Sequence, residues 1–191
     1  MPNPTRWIIL TLAVASAVCA QTSLPPAVPA LNGGVRAHWL LVENLDGGSV
    51  ADDIVVGAAD TFLKTPKEYG THWSGFGKRT GLIAANYGVR STMEAGLGAI
   101  WGEDPRYFRT EGLPLRSRLA YVVKATFLAR NRQGQTMPAW SRLIATPGGN
   151  FLANTWQPDS QAKVSDAVIR TGLNFLSRMG ENAWKEFIVR H

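Results

Sequence analysis

Apolar residues recur along this chain at helical rather than strand spacing. Between Ser49 and Lys64, the residues Val50, Ile54, Ala58 and Phe62 fall four apart and define an inner face, with Asp53, Asp60 and Lys64 on the other side. Ser49 is placed to cap the first turn, with Asp52 three residues on as in a capping box; Asp52 and Asp53 suit the positive helix start, and Pro66 stops the element. Ser74 to about Gly102 carries the longest helical pattern. Pro114 to Asn131 is the next helix, although Tyr121, Val122, Val123, Thr126 and Phe127 favour sheets, and Arg132-Gln133-Gly134-Gln135 would then close a hairpin. Met137 to Trp156 is helical but interrupted by Pro147-Gly148-Gly149, which predicts a kink or two short helices. Thr146, Asn150 and Asn154 fall four apart, spaced to satisfy backbone groups that the proline frees.

Ser160 to Arg190 is the last helix. Val164, Val168, Gly172, Leu176, Met179, Ala183 and Phe187 mark its inner stripe, widened by Ile169, Leu173 and Trp184, and Gly180 is a point of bending or splitting. Arg36 to Leu45 reads as a short helix or a strand before the Asp46-Gly47-Gly48 turn. The pattern predicts an all-α fold, a compact bundle of about five helices forming a single domain over residues 35–191. Such a domain is large enough to bury a core without disulfides or metals.

The longest helix holds the most specific feature. Gly81, Ala85, Gly88, Thr92, Ala95, Ala99 and Gly102 are all small and lie alternately four and three apart. This is a heptad-like seam that lets another helix, or a second copy of the chain in a homo-oligomer, approach closely. Between the small residues, Asn86, Arg90 and Glu94 form a polar stripe at successive i,i+4 steps, with Arg90 and Glu94 able to pair. With His72 and Lys78 near one end, this stripe is the candidate ligand-binding site. A lipid-facing helix surface would not carry it.

The N-terminus adds an address. Met1–Arg6 is polar with one positive charge, Trp7–Val18 is an apolar run of twelve residues, and Val18-Cys19-Ala20 fits a small-residue cleavage site. This is the layout of a signal peptide over residues 1–20, and the run is short of the roughly 20 apolar residues a spanning helix needs. Lipidation of Cys19 is the alternative processing, disfavoured by Val18 before it. Residues 21–34, with Pro25, Pro26, Pro29, Gly33 and Gly34, read as a tether. The expected location is the bacterial envelope, in the periplasm or at the outer membrane. With a single Cys and three His, no metal or cofactor is expected.

Charge is unevenly placed. Residues 31–104 hold 6 basic and 9 acidic side chains, a net of −3, whereas residues 105–191 hold 13 basic and 5 acidic, a net of +8. The densest part contains Arg106, Arg109, Arg116, Arg118, Arg130 and Arg132. Export argues against nucleic acid, so an anionic membrane surface or an envelope protein is the partner this cluster suggests, unless the cations pair with the acidic N-terminal half. Six Trp remain after cleavage, each expected in the core, although Trp at helix ends also marks membrane interfaces.

Catalytic patterns are thin. Ser74-Gly-Phe-Gly-Lys-Arg-Thr-Gly81 fails as a phosphate loop, because His72 and Arg79 stand where Gly and Ser or Thr are needed. Lys78 and Arg79 nevertheless sit at a helix start, where positive charge is unfavourable, and a bound anion or Glu68 would relieve them. His72, Glu94, Glu103 and Asp104 are the acids and base available for a carboxylate–His site, and Glu103 and Asp104 are placed to lock Arg106 or Arg109 at a helix end. The segments KEYGTHWSGFGKR (67–79), EAGLGAIWGEDPRYFR (94–109) and GNFLANTW (149–156) resemble a family of exported bacterial proteins with no assigned function. The resemblance covers most of the mature chain and implies envelope residence and a shared helical domain. It implies no activity, cofactor or catalytic residue, and a non-enzymatic role is the favoured expectation. Intact-mass measurement of the exported protein checks the processing: a chain starting at Gln21 is expected, and a diacylglyceryl mass on Cys19 would refute it.

Overall fold

A computed structural model describes residues 32–45, 47–110 and 112–188; the predicted signal peptide and most of the predicted tether lie outside them. The described residues are all-α apart from one small hairpin. Helices α1 (Gly33–Leu45) and α2 (Gly47–Phe62) precede the long α3 (Trp73–Trp101). After the junction come α4 (Leu115–Phe127), a hairpin of β1 (Leu128–Arg130) and β2 (Thr136–Pro138), then α5 (Trp140–Ala153) and α6 (Val164–Phe187). The two readings of residues 115–140 are both realised in part: a helix first, then an antiparallel pair in which Ala129 opposes Met137. The turn Arg132–Gln135 closes that pair, with Gly134 at φ +77°, a conformation glycine adopts without a Cβ clash.

Several boundaries move for local reasons. Helix α2 begins at Gly47, so Ser49 lies inside it rather than at its cap; the Asp52 side chain falls outside the described set. Gly102 ends α3 in the left-handed conformation, its N–H returning to the Gly98 carbonyl. Pro147 neither ends nor splits α5, which runs unbroken from Trp140 to Ala153. Asn150 Nδ2 donates to the Thr146 carbonyl at 2.9 Å, whereas Asn154 reaches across to the Lys163 carbonyl at 3.3 Å. Helix α6 likewise passes through Gly180 without a break.

Helix α3 is the central element and packs on α1, α2 and α5, while α6 packs on α4 and α5. The predicted small-residue seam is not what brings the helices together. Gly81, Ala85, Thr92 and Ala99 are exposed, Gly88 is half-buried, and a Cβ at Gly81 would meet nothing within 4 Å; of the seven, only Ala95 and Gly102 are buried. The close approach is made by other glycines. A Cβ at Gly149 of α5 would stand 3.3 Å from Arg90 Cβ and 3.4 Å from its Cα, and one at Gly57 of α2 would run into Thr80.

The apolar stripes also face the wrong way for a protein with an oily core. In α6, Val164, Val168, Ile169, Leu173, Leu176 and Trp184 are all more than half exposed, while Ala167, Asn182 and Glu186 are buried. In α2, Val50, Ile54 and Phe62 point outward and Gly57 inward. Among the described residues, 29 large apolar side chains are exposed, against a fully buried apolar set of Trp39, Val122 and six alanines. Thirteen polar or charged residues are buried. Of the six Trp, Trp39 alone is buried, at 9% exposure; Trp73, Trp101, Trp140, Trp156 and Trp184 are exposed, against the expectation of core positions. In α2 and α6 the spacing groups the apolar positions on one side as expected, but the more polar side is the one turned inward.

Two glycine substitutions separate the predicted seam from the observed contact. Gly149→Val is expected to force α5 off α3 and destabilise by about 2 kcal/mol. Gly81→Ala, in open space inside a helix, is expected to stabilise by about 0.5 kcal/mol. Denaturant midpoints measure both; equal effects at the two sites would sink this packing description.

Candidate functional site

The inward polar faces converge on a small cavity of about 20 Å3 between α3, α5 and α6, room for one or two waters. Arg90 and Glu94 of α3 form one wall. Arg142 and Thr146 of α5, and Asn174, Arg178 and Glu181 of α6, form the others, with Trp39 and Tyr87 closing it. The predicted polar stripe is thus a cavity wall at two of its positions. Asn86 is taken up elsewhere, its Oδ1 accepting the Trp156 indole N–H at 2.9 Å. His72 and Lys78 are exposed, and Lys78 lies over the Tyr69 ring. They sit about 27 Å and 18 Å along the helix from Arg90, so the structure does not bring them to the cavity.

The charges around the cavity are unequally paired. Arg142 Nε donates to Glu94 Oε1 at 2.9 Å, and Arg178 Nη2 lies 3.8 Å from the same oxygen. Arg178 Nη1 stands 3.3 Å from Glu181 Oε2. Arg142 also donates to the carbonyls of Ala125 (2.9 Å) and Thr126 (3.0 Å), which end α4 and would otherwise be unsatisfied. Arg90 is different. Among the described residues it has no hydrogen-bond or ion-pair partner, only the Tyr87 ring 4.8 Å from its Cζ. Burial, helped by the neighbouring Arg178 and opposed by Tyr87, Glu181 and Glu94, lowers its guanidinium below the ordinary arginine value.

The junction GEDPRYFR works as a set of internal clamps. Glu103, 1% exposed, accepts from the Ser141 backbone N–H (3.0 Å) and hydroxyl, placing a carboxylate at the start of α5. Asp104 locks Arg106 through two short contacts, as the sequence suggested. Glu186, at the far end of α6, accepts from Tyr107 Oη (2.9 Å), Thr110 N (3.1 Å) and Oγ1 (2.6 Å), and Arg118 Nε (2.7 Å). Sequence reasoning missed Glu103 and Glu186 as hubs, because their partners lie 38 and up to 79 residues away.

Most of the basic cluster is engaged within the protein, although Arg116 and Arg132 are exposed. Arg118 is held by Glu186 and the Phe187 ring, Arg106 by Asp104, and Arg130 stacks on Phe108 at 4.3 Å. Arg109 is half-buried, and Arg132 donates to the Ala99 carbonyl at 3.1 Å. Arg116 is exposed on the first turn of α4. Arg79 is also engaged, which corrects the anion reading at the start of α3. Only 1% exposed, it donates to the carbonyls of Thr65 (2.7 Å), Pro66 (2.8 Å) and Gly70 (2.8 Å). Glu68, offered as its alternative partner, instead accepts from Ser160.

Among the described residues no group of three His, Cys, Asp or Glu is placed to hold a metal ion. No family model, curated protein or solved structure matches this chain. The family resemblance seen in the sequence therefore lends the cavity no residue role, and its chemistry rests on its own geometry.

The Glu186 hub predicts an acid sensitivity. Burial pushes its carboxyl up, but donors from Thr110, Arg118 and Tyr107 outweigh burial and hold it below the usual 4.5. Its folded value is depressed, so its contribution is present above about pH 4.5 and is lost as pH falls through the lower folded value. Glu186→Gln is expected to destabilise by about 3 kcal/mol at pH 7 and to flatten the loss of stability below pH 4.5. Thermal melts across pH 3–7 check it; parallel profiles for the two proteins would refute this role.

Proposed function

We propose that this is an exported envelope protein of non-enzymatic role that works at a lipid membrane, with acyl chains covering its apolar exterior. The observation that carries the proposal is the inverted polarity: 29 large apolar side chains outward around a buried set that is mostly polar. Exposed apolar area on this scale marks an interaction surface. Its distribution favours lipid over a single protein partner. The exposed residues occur on all six helices, from Leu41 of α1 to Trp184 of α6, whereas one protein partner covers about 800 Å2 on one side. Exposed Trp73 and Trp101 on α3 add amphipathic rings of the kind that settle at headgroup depth.

Among the described residues no helix is long and apolar enough to cross a membrane, so the proposed mode is insertion into the interfacial region rather than spanning. The signal-peptide pattern of residues 1–20 supports delivery to the envelope. The arginine cluster is a weaker basis for contact, since Arg106 and Arg118 are paired internally. Attraction to anionic headgroups is therefore secondary to apolar burial. A second reading, a protein that holds a small polar ligand, is favoured by the Arg90–Glu94 cavity wall.

Flotation with phosphatidylcholine vesicles tests the main proposal. The purified chain is expected to float with neutral vesicles, and to do so equally in about 1 M salt, because apolar burial is not screened. Leu173→Asp combined with Leu176→Asp, both on the exposed face of α6, is expected to lower capture about tenfold while leaving the fold intact. A detergent-free monomer or discrete oligomer that ignores vesicles would overturn the lipid reading.

A further inference from the structure

The cavity between α3, α5 and α6 is lined by three arginines and two glutamates, so its walls carry one net positive charge. The two glutamates are already assigned: Glu94 pairs with Arg142 and approaches Arg178, and Glu181 pairs with Arg178. The surplus charge is placed on Arg90, which among the described residues makes no hydrogen bond or ion pair: it stacks on the Tyr87 ring and feels Glu181 and Glu94 at longer range. Arg90 is half-buried, and its guanidinium presents five donors and a charge to the cavity that no protein acceptor takes up. Two further walls offer polar groups open to the cavity. Thr146 and Asn174 line the cavity, and no described residue engages the hydroxyl of the first or the side-chain amide of the second. Helix α5 is fixed against this spot by Gly149, beside Arg90 Cβ, so the walls are held at a close distance.

We propose that this cavity is a binding site for one small monovalent anion of chloride size, held by Arg90 with Thr146 and Asn174 completing its donors. The charge balance selects a single negative charge. The volume of about 20 Å3 selects a small ion over a phosphate ester or a sugar acid. The paired carboxylate of Glu94 makes a second bound anion unfavourable. Glu181, on the outer turn of α6 and one-third exposed at its side chain, stands where the cavity meets the surface. This inference deepens the ligand-holding reading and is independent of the lipid proposal.

Melting of the purified full chain in non-ionic detergent, at constant ionic strength with chloride replacing gluconate, tests it. The wild-type Tm is expected to rise saturably by about 3 °C. Arg90→Gln is expected to abolish the rise, and Lys78→Gln, a surface cation remote from the cavity, to keep it. If Arg90→Gln does not fold, Asn174→Leu is read in its place and is expected to weaken the response about tenfold. A flat wild-type response, or an equal chloride response with the cavity variants, would overturn the site. A rise with a larger or uncharged ligand and none with chloride would reject the anion and leave the ligand-holding reading standing. Failure of vesicle flotation would leave the chloride result unaffected.

Discussion

The Arg142 guanidinium is the joint on which this fold closes. It meets Glu94 of α3 at 2.9 Å, takes the last carbonyls of α4, and reaches the Pro105 carbonyl at 3.4 Å in the junction between them. Its own helix, α5, is begun by Glu103 from the same junction. Three helices and the connecting segment thus share one planar, five-donor group whose geometry allows one arrangement. An ion pair so far from water returns little net stability, because desolvation offsets most of the attraction. What it enforces is pairing. Glu94 is buried, and this packing of α3 against α5 is what brings Arg142 to it.

The same constraint runs through the rest of the interior. Glu186 is surrounded by donors from distant segments and Arg79 by carbonyls of the loop before its own helix, and Asn182 Nδ2 reaches Thr126 Oγ1 at 3.2 Å where α6 crosses α4. Small residues at Gly149 and Gly57, with buried alanines at 95, 145, 153 and 167, let the backbones come near enough for these bonds to form. Such an interior contributes specificity more than hydrophobic free energy. The missing free energy lies on the outside, in leucines, valines and tryptophans that gain only when something apolar covers them. The lipid proposal and the polar interior are two sides of one inversion.

The cavity is a consequence of that architecture. Polar faces of unequal charge were brought together, two acids were matched, and one arginine was left facing a space of water size. A hydrophobic core would have excluded the charge, whereas a polar one can tolerate it if an anion or ordered water completes the shell.

Much of this was legible in the sequence. Helical spacing identified the elements from Val50 onward and the polar line through Arg90 and Glu94, and residue type marked the turn at Arg132–Gln135, whereas Arg36–Leu45 stayed open between helix and strand until the structure made it a helix. The partners of Glu103 and Glu186 were not legible, since nothing local marks an acid for a backbone N–H, hydroxyl or guanidinium tens of residues away, nor were the loop carbonyls that Arg79 takes up. Nor was the direction of the faces. Periodicity defines an axis across a helix, with Val168 and Leu173 at one end and Ala167 and Asn182 at the other, but it carries no sign. The sign came from assuming water outside. By itself, the sequence determined that the fold is predominantly all-α, roughly where most of its helices lie and which residues of the periodic ones share a face. Only the tertiary structure decided which face is inside, because that choice depends on whether buried polar groups find partners, and partners are set by the arrangement of whole helices.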